Sequence, residues 1–238
     1  MKLPDKAVTI IAGHYGTGKT EFAVNLAIAM ARNKRRTALV DLDIINPYFR
    51  SIERKAELEK EGIIIHVTSH GGKGDTPAIP AEVMSVFADT GLQSIIDLGG
   101  DPGGARVLGA YKPQLDAVPH DFWYAVNLNR PENRDPEKVI ADIRETEKLS
   151  RQKITGLVNT THLGRETVLS DILKGDEHAA AIAGRLGLPL VYTVGERKFE
   201  SEAKDLVKGS FFPINIYMIK PWELGDAKGG QFEWLLEE

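Results

Sequence analysis

Apolar residues fall along this chain in eight short runs rich in β-branched side chains: AVTIIAG (7–13), TALVDLD (37–43), IIIHVTS (63–69), SIIDLGG (94–100), FWYAVNL (122–128), ITGLVNT (154–160), LPLVYTVG (188–195) and FPINIYMI (212–219). Most are apolar at consecutive rather than alternate positions, the pattern of strands buried on both faces. Stretches of helical period separate many of them. The first predicts a helix over 19–32, where Phe22, Leu26, Ala29 and Met30 recur on one face; others are predicted over 51–61, 79–90, 136–150, 165–174, 177–187 and 200–207. This alternation predicts an α/β fold, a three-layer, doubly wound, mostly parallel sheet with helices on both faces. No internal repeat or Pro/Ser-rich linker divides the chain. Its 238 residues are therefore read as one domain, 1–238, somewhat longer than the typical domain.

Composition changes that picture little but narrows the chemistry. With 42% apolar, 27% charged and 7% aromatic residues the balance is that of a globular protein. Thirty basic against thirty-four acidic residues give a net charge of −4. Neither this nor a pI of about 5.9 offers the dense basic stripe that nucleic-acid binding needs. The cluster Arg32, Lys34, Arg35 and Arg36 follows the first predicted helix, where cations offset the helix dipole. Cysteine is absent, which removes disulfides, thiolate metal sites and a cysteine-held iron–sulfur cluster. The amino-terminal apolar run is too short for a signal core or membrane helix, and the acidic tail FEWLLEE lacks the basic face of a membrane anchor. The expectation is a cytoplasmic protein with no membrane contact.

The string Gly13-His14-Tyr15-Gly16-Thr17-Gly18-Lys19-Thr20 fits G-x-x-x-x-G-K-[ST] at every fixed position, directly after a strand and directly before a helix. Glycines let the backbone wrap round phosphate oxygens, so that successive amides and the helix amino end face the anion. Lys19 reaches the β- and γ-phosphates, and the Thr20 hydroxyl suits a magnesium ion, which takes hard oxygen ligands. Glu21, next in the chain, completes the predicted nucleotide contacts.

Ligands of open α/β sheets lie at the carboxyl ends of the strands, so acids delivered there are the next candidates. The run ending Asp41-Leu42-Asp43 carries two acids on one face if it stays extended. Asp43, nearer the loop, is placed to position an attacking water and to approach the metal, with Asp41 closer to magnesium or to a stabilising hydrogen bond. Turn formation before Asn46-Pro47 is the alternative for both. The run Ser94-Ile95-Ile96-Asp97-Leu98-Gly99-Gly100 delivers Asp97 to a magnesium-bound water, and Gly100 completes a D-x-x-G spacing in which a backbone amide can sense the γ-phosphate. The Asp101-Pro102-Gly103-Gly104 segment after it reads as a moving switch.

Together these residues resemble the MinD/ParA and CobQ/CobB group of deviant P-loop ATPases, the SIMIBI class, and more narrowly its ATP-binding members that carry a GHYGTGKTE loop and VDLDIINPYFR. The similarity spans most of the chain. It implies a mostly parallel sheet of seven or eight strands, Mg2+ and ATP at the strand ends, and a homodimer closed over two nucleotides. By this resemblance Asp43 is the first-switch aspartate that orients water, Asp97 the magnesium-side acid of the second switch, and Asn159 the adenine reader at the end of a late strand. Asn159 has a second reading, as a cap on the turn into Thr160-Thr161-His162. No N-K-x-D string is present for guanine, and the loop after Thr193-Val194-Gly195-Glu196 is a candidate wall of the base pocket. The sequence departs from the class at His14, which stands where a second lysine usually follows the first loop glycine. A histidine is neutral over much of the physiological range. Either another cation such as Arg106 or Lys112 substitutes, or hydrolysis is slow and the chain acts chiefly as a switch, or His14 merely fills the loop.

The reading that follows is a magnesium-dependent ATPase, possessing slow hydrolysis or not, that couples the γ-phosphate to docking of a protein client, in enzyme maturation or regulation. One alternative is an ATP-dependent synthetase or small-molecule kinase, whose acceptor would use the 69–80 loop or the cluster Asn127, Asn129, Arg130 and Arg134. Another is a nucleotide-binding module that does not hydrolyse. The polar loop Ser69 to Asp75 either contacts a partner or is simply flexible; His70 and Asp75 are too few ligands for a metal site.

Overall fold

Each of the eight apolar runs becomes a strand in a computed structural model that describes residues 2–42, 55–67, 81–89, 91–100 and 102–218. The strands are β1 (Val8–Ala12), β2 (Thr37–Leu42), β3 (Ile63–Val67), β4 (Gln93–Leu98), β5 (His120–Val126), β6 (Gly156–Asn159), β7 (Leu190–Glu196) and β8 (Ser210–Ile214). Between them lie α1 (Lys19–Arg32), α2 (Lys55–Lys60), α3 (Ala81–Ala88), α4 (Pro102–Ala110), α5 (Lys112–Asp116), α6 (Pro136–Ser150), α7 (Leu169–Leu186) and α8 (Glu200–Ala203). The strands form one sheet in the order β3-β2-β4-β1-β5-β6-β7-β8, and every pairing is parallel. The chain leaves β1 toward one side of the sheet and later returns to fill the other, so the crevice between β1 and β5 is the switch point where such sheets bind ligands.

Strand side chains alternate between two cores. Val8, Ile10, Val40, Ile96, Phe122 and Tyr124 face one with Val83, Leu108, Ile140 and Ile182 of the helices. Ile11, Leu39, Ile95 and Trp123 face the other, where Phe22, Leu26 and Met30 of α1 pack. The period-two rule therefore carries Asp41, two residues after Leu39, and Asp97, two after Ile95, to the α1 side of the sheet. Phe22 sits in an aromatic cluster there, its ring 5.2 Å from Phe212 and 6.4 Å from Trp123. Two cations of the basic cluster at the end of α1 are held in ion pairs, Arg32 with Glu61 at 2.7 Å and Arg36 with Asp89 at 2.9 Å, while Arg35 donates to Gln93 Oε1 at 3.0 Å.

Residues 102–104, in the segment read as a moving switch, form the first turn of α4; Gly104 lets that turn lie against the strand exit, since a Cβ there would stand 2.7 Å from the Gly99 carbonyl oxygen. The helices expected over 165–174 and 177–187 are one continuous α7, closed by Gly187 in the left-handed region at φ 67. Gly175 reads as a break, yet it marks a close approach: a Cβ there would fall 2.1 Å from Thr161 Oγ1. The helix expected over 200–207 ends at Ala203, the last strand, expected over 212–219, runs from Ser210 and stops at Ile214, and α4 and α5 have no counterpart among the expected helices. Asp43, Asn46-Pro47, the 69–75 loop, Asp101 and the FEWLLEE tail lie outside the described residues. Among the described residues no helix is long and apolar enough to cross a membrane.

Candidate functional site

The loop after β1 is built by its glycines. Gly16 and Gly18 take φ values of 72 and 88, the left-handed region that a side chain disfavours, while Gly13 backs onto β5 so closely that a Cβ would stand 2.6 Å from the Ala125 carbonyl oxygen. Thr17 closes the turn by donating its hydroxyl to the His14 carbonyl at 2.8 Å. Gly18 is the N-cap of α1 and no side chain caps it, which leaves the first amides of a 14-residue helix for an anion.

Lys19 and Thr20 occupy the first turn of that helix. Lys19 is 5% exposed, and its Nζ lies beneath Gly100, where a Cβ would come within 2.9 Å of it and within 2.7 Å of the Tyr15 amide nitrogen. Gly100 is thus in contact with both the loop backbone and its lysine. Thr20 Oγ1 donates to Asp97 Oδ2 at 2.6 Å. Asp97 is 1% exposed, and Asp41, its register partner on β2, is 2% exposed. The hydroxyl and carboxylate expected to share a metal therefore already stand together at the loop's helical end.

Beyond the loop opens a cavity of about 350 Å3. Tyr15, Lys19 and Thr20 line the end next to the loop; Thr160 to His162 after β6, Val194 to Glu196 of β7, and Ile214, Ile216 and Met218 from the β8 end line much of the rest. All these groups come from the carboxyl ends of strands. His162 covers the loop, with its Cε1 3.0 Å from where a Gly18 Cβ would lie, and its Nδ1 is 2.9 Å from the Thr160 carbonyl oxygen. Arg130 donates its Nε to the Gly16 carbonyl at 2.6 Å and lines the same cavity. This arginine, rather than Arg106 or Lys112, is the cation drawn against the loop; Lys112 pairs with Asp116 at 2.5 Å.

Asn159 is fully buried and is not among the cavity's lining groups. Its amide donates to the Ile172 carbonyl at 3.1 Å, and its oxygen accepts from the Thr161 amide at 3.0 Å. That is the turn-capping geometry, with the side chain supporting the cavity floor from below. Glu21 lies at the cavity edge, its carboxylate accepting from the Tyr217 amide at 2.8 Å and the Met218 amide at 3.0 Å. Contributions from Ile214, Ile216, Met218 and His162 escaped the sequence reading, because no motif marks a wall assembled from separate strand ends. The sequence points to the loop after Glu196, whereas it is Val194 to Glu196, the end of β7 itself, that line the cavity.

His14 borders a second cavity, of about 370 Å3, on the other side of the loop, with Gly99, Gly100, Tyr124, Asp142 and Glu145. The Tyr124 hydroxyl donates to Asp142. Burial above all, and then the Asp142 carboxylate, pushes the Tyr124 phenol well above its usual range, against a smaller opposing backbone hydrogen bond at His14.

Comparison with known proteins fits this geometry. Residues 8–199 match the family described as the CobQ/CobB/MinD/ParA nucleotide binding domain. No curated protein sequence matches the chain. Similar solved structures include the signal recognition particle 54 kDa protein from Aeropyrum pernix in complex with GDP, at 19% identity and TM-score 0.52, over 79% of this chain and 41% of that one. The cell division protein FtsY from Thermotoga maritima is similar at 21% identity and TM-score 0.50, over 80% and 62%; chloroplast FtsY from Physcomitrella patens at 17% and 0.52, over 79% and 58%. The chain thus spans about 41 to 62% of the length of these three proteins, and at such identities the likeness is one of fold. An all-parallel sheet with a glycine loop at its switch point, matched by the family over four-fifths of its length, places this chain in the SIMIBI class of P-loop NTPases, as a member of the CobQ/CobB/MinD/ParA nucleotide-binding domain family.

Proposed function

We propose that the chain binds ATP with magnesium, hydrolyses it, and uses the difference between its ATP and ADP states to engage a protein client. The observation that carries this reading is the contact between Thr20 Oγ1 and Asp97 Oδ2 at 2.6 Å, beside the buried Lys19 and under Gly100. A hydroxyl and a carboxylate at this spacing suit magnesium, which takes oxygen ligands and keeps several waters. When bound, it would neutralise phosphate charge. Lys19 and the loop amides of Gly13 to Thr20 hold the phosphates, and Gly100 brings its amide to the γ-phosphate side. Asp43 orients a water whose oxygen bonds to the γ-phosphorus as the bond to the bridging oxygen breaks, giving ADP and phosphate.

Adenine is the base we assign, since the sequence carries no N-K-x-D string for guanine; Ile214, Ile216 and Met218 offer an apolar wall for the face of the base. His14 cannot supply a permanent cation, and Arg130, held at 2.6 Å from the Gly16 carbonyl, is the group placed to do so from within the same chain. A homodimer is then not required to complete the phosphate site, although it can still form the client surface.

Phosphate release tests the enzymatic part. Asp43→Asn should bind ATP and lose turnover, and Lys19→Ala should lose both; equal turnover in the wild type and Asp43→Asn would sink the mechanism. A capture experiment run in parallel with ATP and ADP tests the switch, since a client must distinguish the two states. The cavity beside Gly99, Gly100 and His14 favours a second reading, transfer of the γ-phosphate to a bound acceptor as in a synthetase or small-molecule kinase. ATP consumption that begins only when a metabolite is added would select it.

A further inference from the structure

The described residues end with a four-residue segment, 215–218, that is tied to α1 rather than to the sheet. Beyond Ile214, the last residue of β8, no strand among the described residues pairs with the backbone. Its polar groups are taken up by two side chains in the first two turns of α1. Asn25 accepts from the Asn215 amide at 2.9 Å and donates to the Asn215 carbonyl at 2.9 Å. Glu21 receives consecutive amides, Tyr217 on Oε1 at 2.8 Å and Met218 on Oε2 at 3.0 Å. The two helix residues are themselves joined, the Asn25 amide donating to the Glu21 carbonyl oxygen at 2.8 Å and to its Oε1 at 3.3 Å. In an extended segment alternate residues share a side, and Ile214, Ile216 and Met218 all line the 350 Å3 cavity. Ile216 is 36% exposed, so burial in the core does not hold it there.

We propose that Glu21 and Asn25 are positioning residues: a polar latch that holds 215–218 as the apolar wall of the nucleoside subsite. Glu21 follows directly on Lys19 and Thr20, so one helical turn carries the phosphate contacts on one side and fixes the nucleoside wall on the other. The carboxylate is the part that matters. It is acceptor-only and offers one oxygen to each amide, and charge-assisted bonds of this kind are about twice as strong as neutral ones. An amide at the same position must turn an NH2 toward one of the two N–H groups. This inference rests on the reading that the cavity takes the nucleoside of a bound nucleotide.

The test compares Mg-ATP with magnesium tripolyphosphate, which has the phosphates and no nucleoside, by calorimetric titration of wild type, Glu21→Gln and Asn25→Ala. Hydrogen exchange at Tyr217 and Met218 is followed in the same proteins. The expected result is ATP affinity lower by on the order of tenfold in Glu21→Gln, given the worth of charged hydrogen bonds. Tripolyphosphate affinity should stay within about twofold, and exchange should quicken at 217 and 218 but not within α1. The exposed Ile216, whose truncation does not threaten the core, gives an independent variant: Ile216→Ser should show the same selective loss. Equal weakening of both ligands, or unchanged ATP affinity with faster exchange at 217 and 218, would overturn the latch while the nucleoside reading stands. A wild-type chain that holds ATP no more tightly than tripolyphosphate would overturn the nucleoside reading, and the latch with it.

Discussion

Replacing Gly100 by alanine is the sharpest single test of the site, because it adds one methyl group at a point where the neighbours are fixed. The new Cβ would lie 2.7 Å from the Tyr15 amide nitrogen, 2.9 Å from Lys19 Nζ and 3.0 Å from the Gly13 carbonyl oxygen, against about 3.4 Å for an ordinary close contact. The lysine end can swing away. The other two atoms belong to the loop backbone, so relief requires that the loop and the β4 exit separate by several tenths of an ångström. Overpacking of this kind costs about 1–3 kcal/mol. If the nucleotide needs the loop in its present shape, that cost appears in affinity as a dissociation constant raised about 5- to 150-fold. Calorimetric titration with Mg-ATP measures it. Gly184 provides the control: it is exposed in α7, and a Cβ there meets nothing within 4 Å. Gly184→Ala should stabilise the fold by about 0.5–1 kcal/mol and leave affinity unchanged. Wild-type affinity in Gly100→Ala would refute the claim that this glycine abuts the phosphate loop of the binding-competent form.

Further expectations address the metal, the fold and its response to pH. Asp97→Asn should weaken Mg-ATP more than ATP in the presence of a chelator, because the hydroxyl–carboxylate pair at 2.6 Å is assigned to the metal; equal weakening in both titrations would remove Asp97 from that role. Asp176 is 2% exposed and accepts from Thr193 Oγ1 at 2.5 Å, the Lys208 amide at 2.8 Å and the Gly209 amide at 3.3 Å. Asp176→Ala leaves these buried donors without their acceptor and should cost about 2–4 kcal/mol, read as a lower urea midpoint with unchanged slope. Burial raises the phenols of Tyr111, Tyr124 and Tyr192, the last to about 12. A folded-state pKa above the unfolded one means that the buried neutral phenol contributes its full stability below about pH 10, lost as pH rises from there toward about 12. Ultraviolet titration should show these three ionising after the ordinary phenols, and Tyr192→Phe should remove the step near 12; a single transition near 10 in the folded protein would contradict the burial. At the acid end, Glu61 is held below the usual carboxylate range chiefly by its hydrogen bond from Arg32. That pair should add stability at neutral pH that falls away as pH drops through the depressed value. Being surface-exposed, it is worth about 0.2–1 kcal/mol, measurable as the difference in acid unfolding between wild type and Glu61→Gln.

What could be read from the sequence divides along the line between local and assembled features. A buried strand declares itself within five to seven residues, so all eight runs were found. The phosphate loop declares itself within eight, because glycine, lysine and threonine each answer a local demand. The failures arose where a residue's partner is distant in the chain. Gly103 and Gly104 carry no helical pattern, yet α4 begins at Pro102, and position 104 is glycine because it passes the Gly99 carbonyl oxygen at close range. Gly175 looks like a helix end, yet α7 runs through it, and glycine stands there because a side chain would strike Thr161. Asn159 has the residue type of a base reader, and its hydrogen bonds to Ile172 and Thr161 commit both ends of its amide to the protein. Glu21 follows Thr20 and lines the cavity, but nothing local in the sequence marks its other partners: its carboxylate reaches across almost the whole described chain to the Tyr217 and Met218 amides. The same division runs through the site. Its loop is encoded in one contiguous string, joined by Asp97 and Gly100 from the end of β4 and by Arg130, whereas the opposite end, proposed for the nucleoside, is assembled from the exits of β6, β7 and β8. Phosphate affinity and nucleoside selectivity should therefore respond to different mutations, and Glu21 is where the two halves meet.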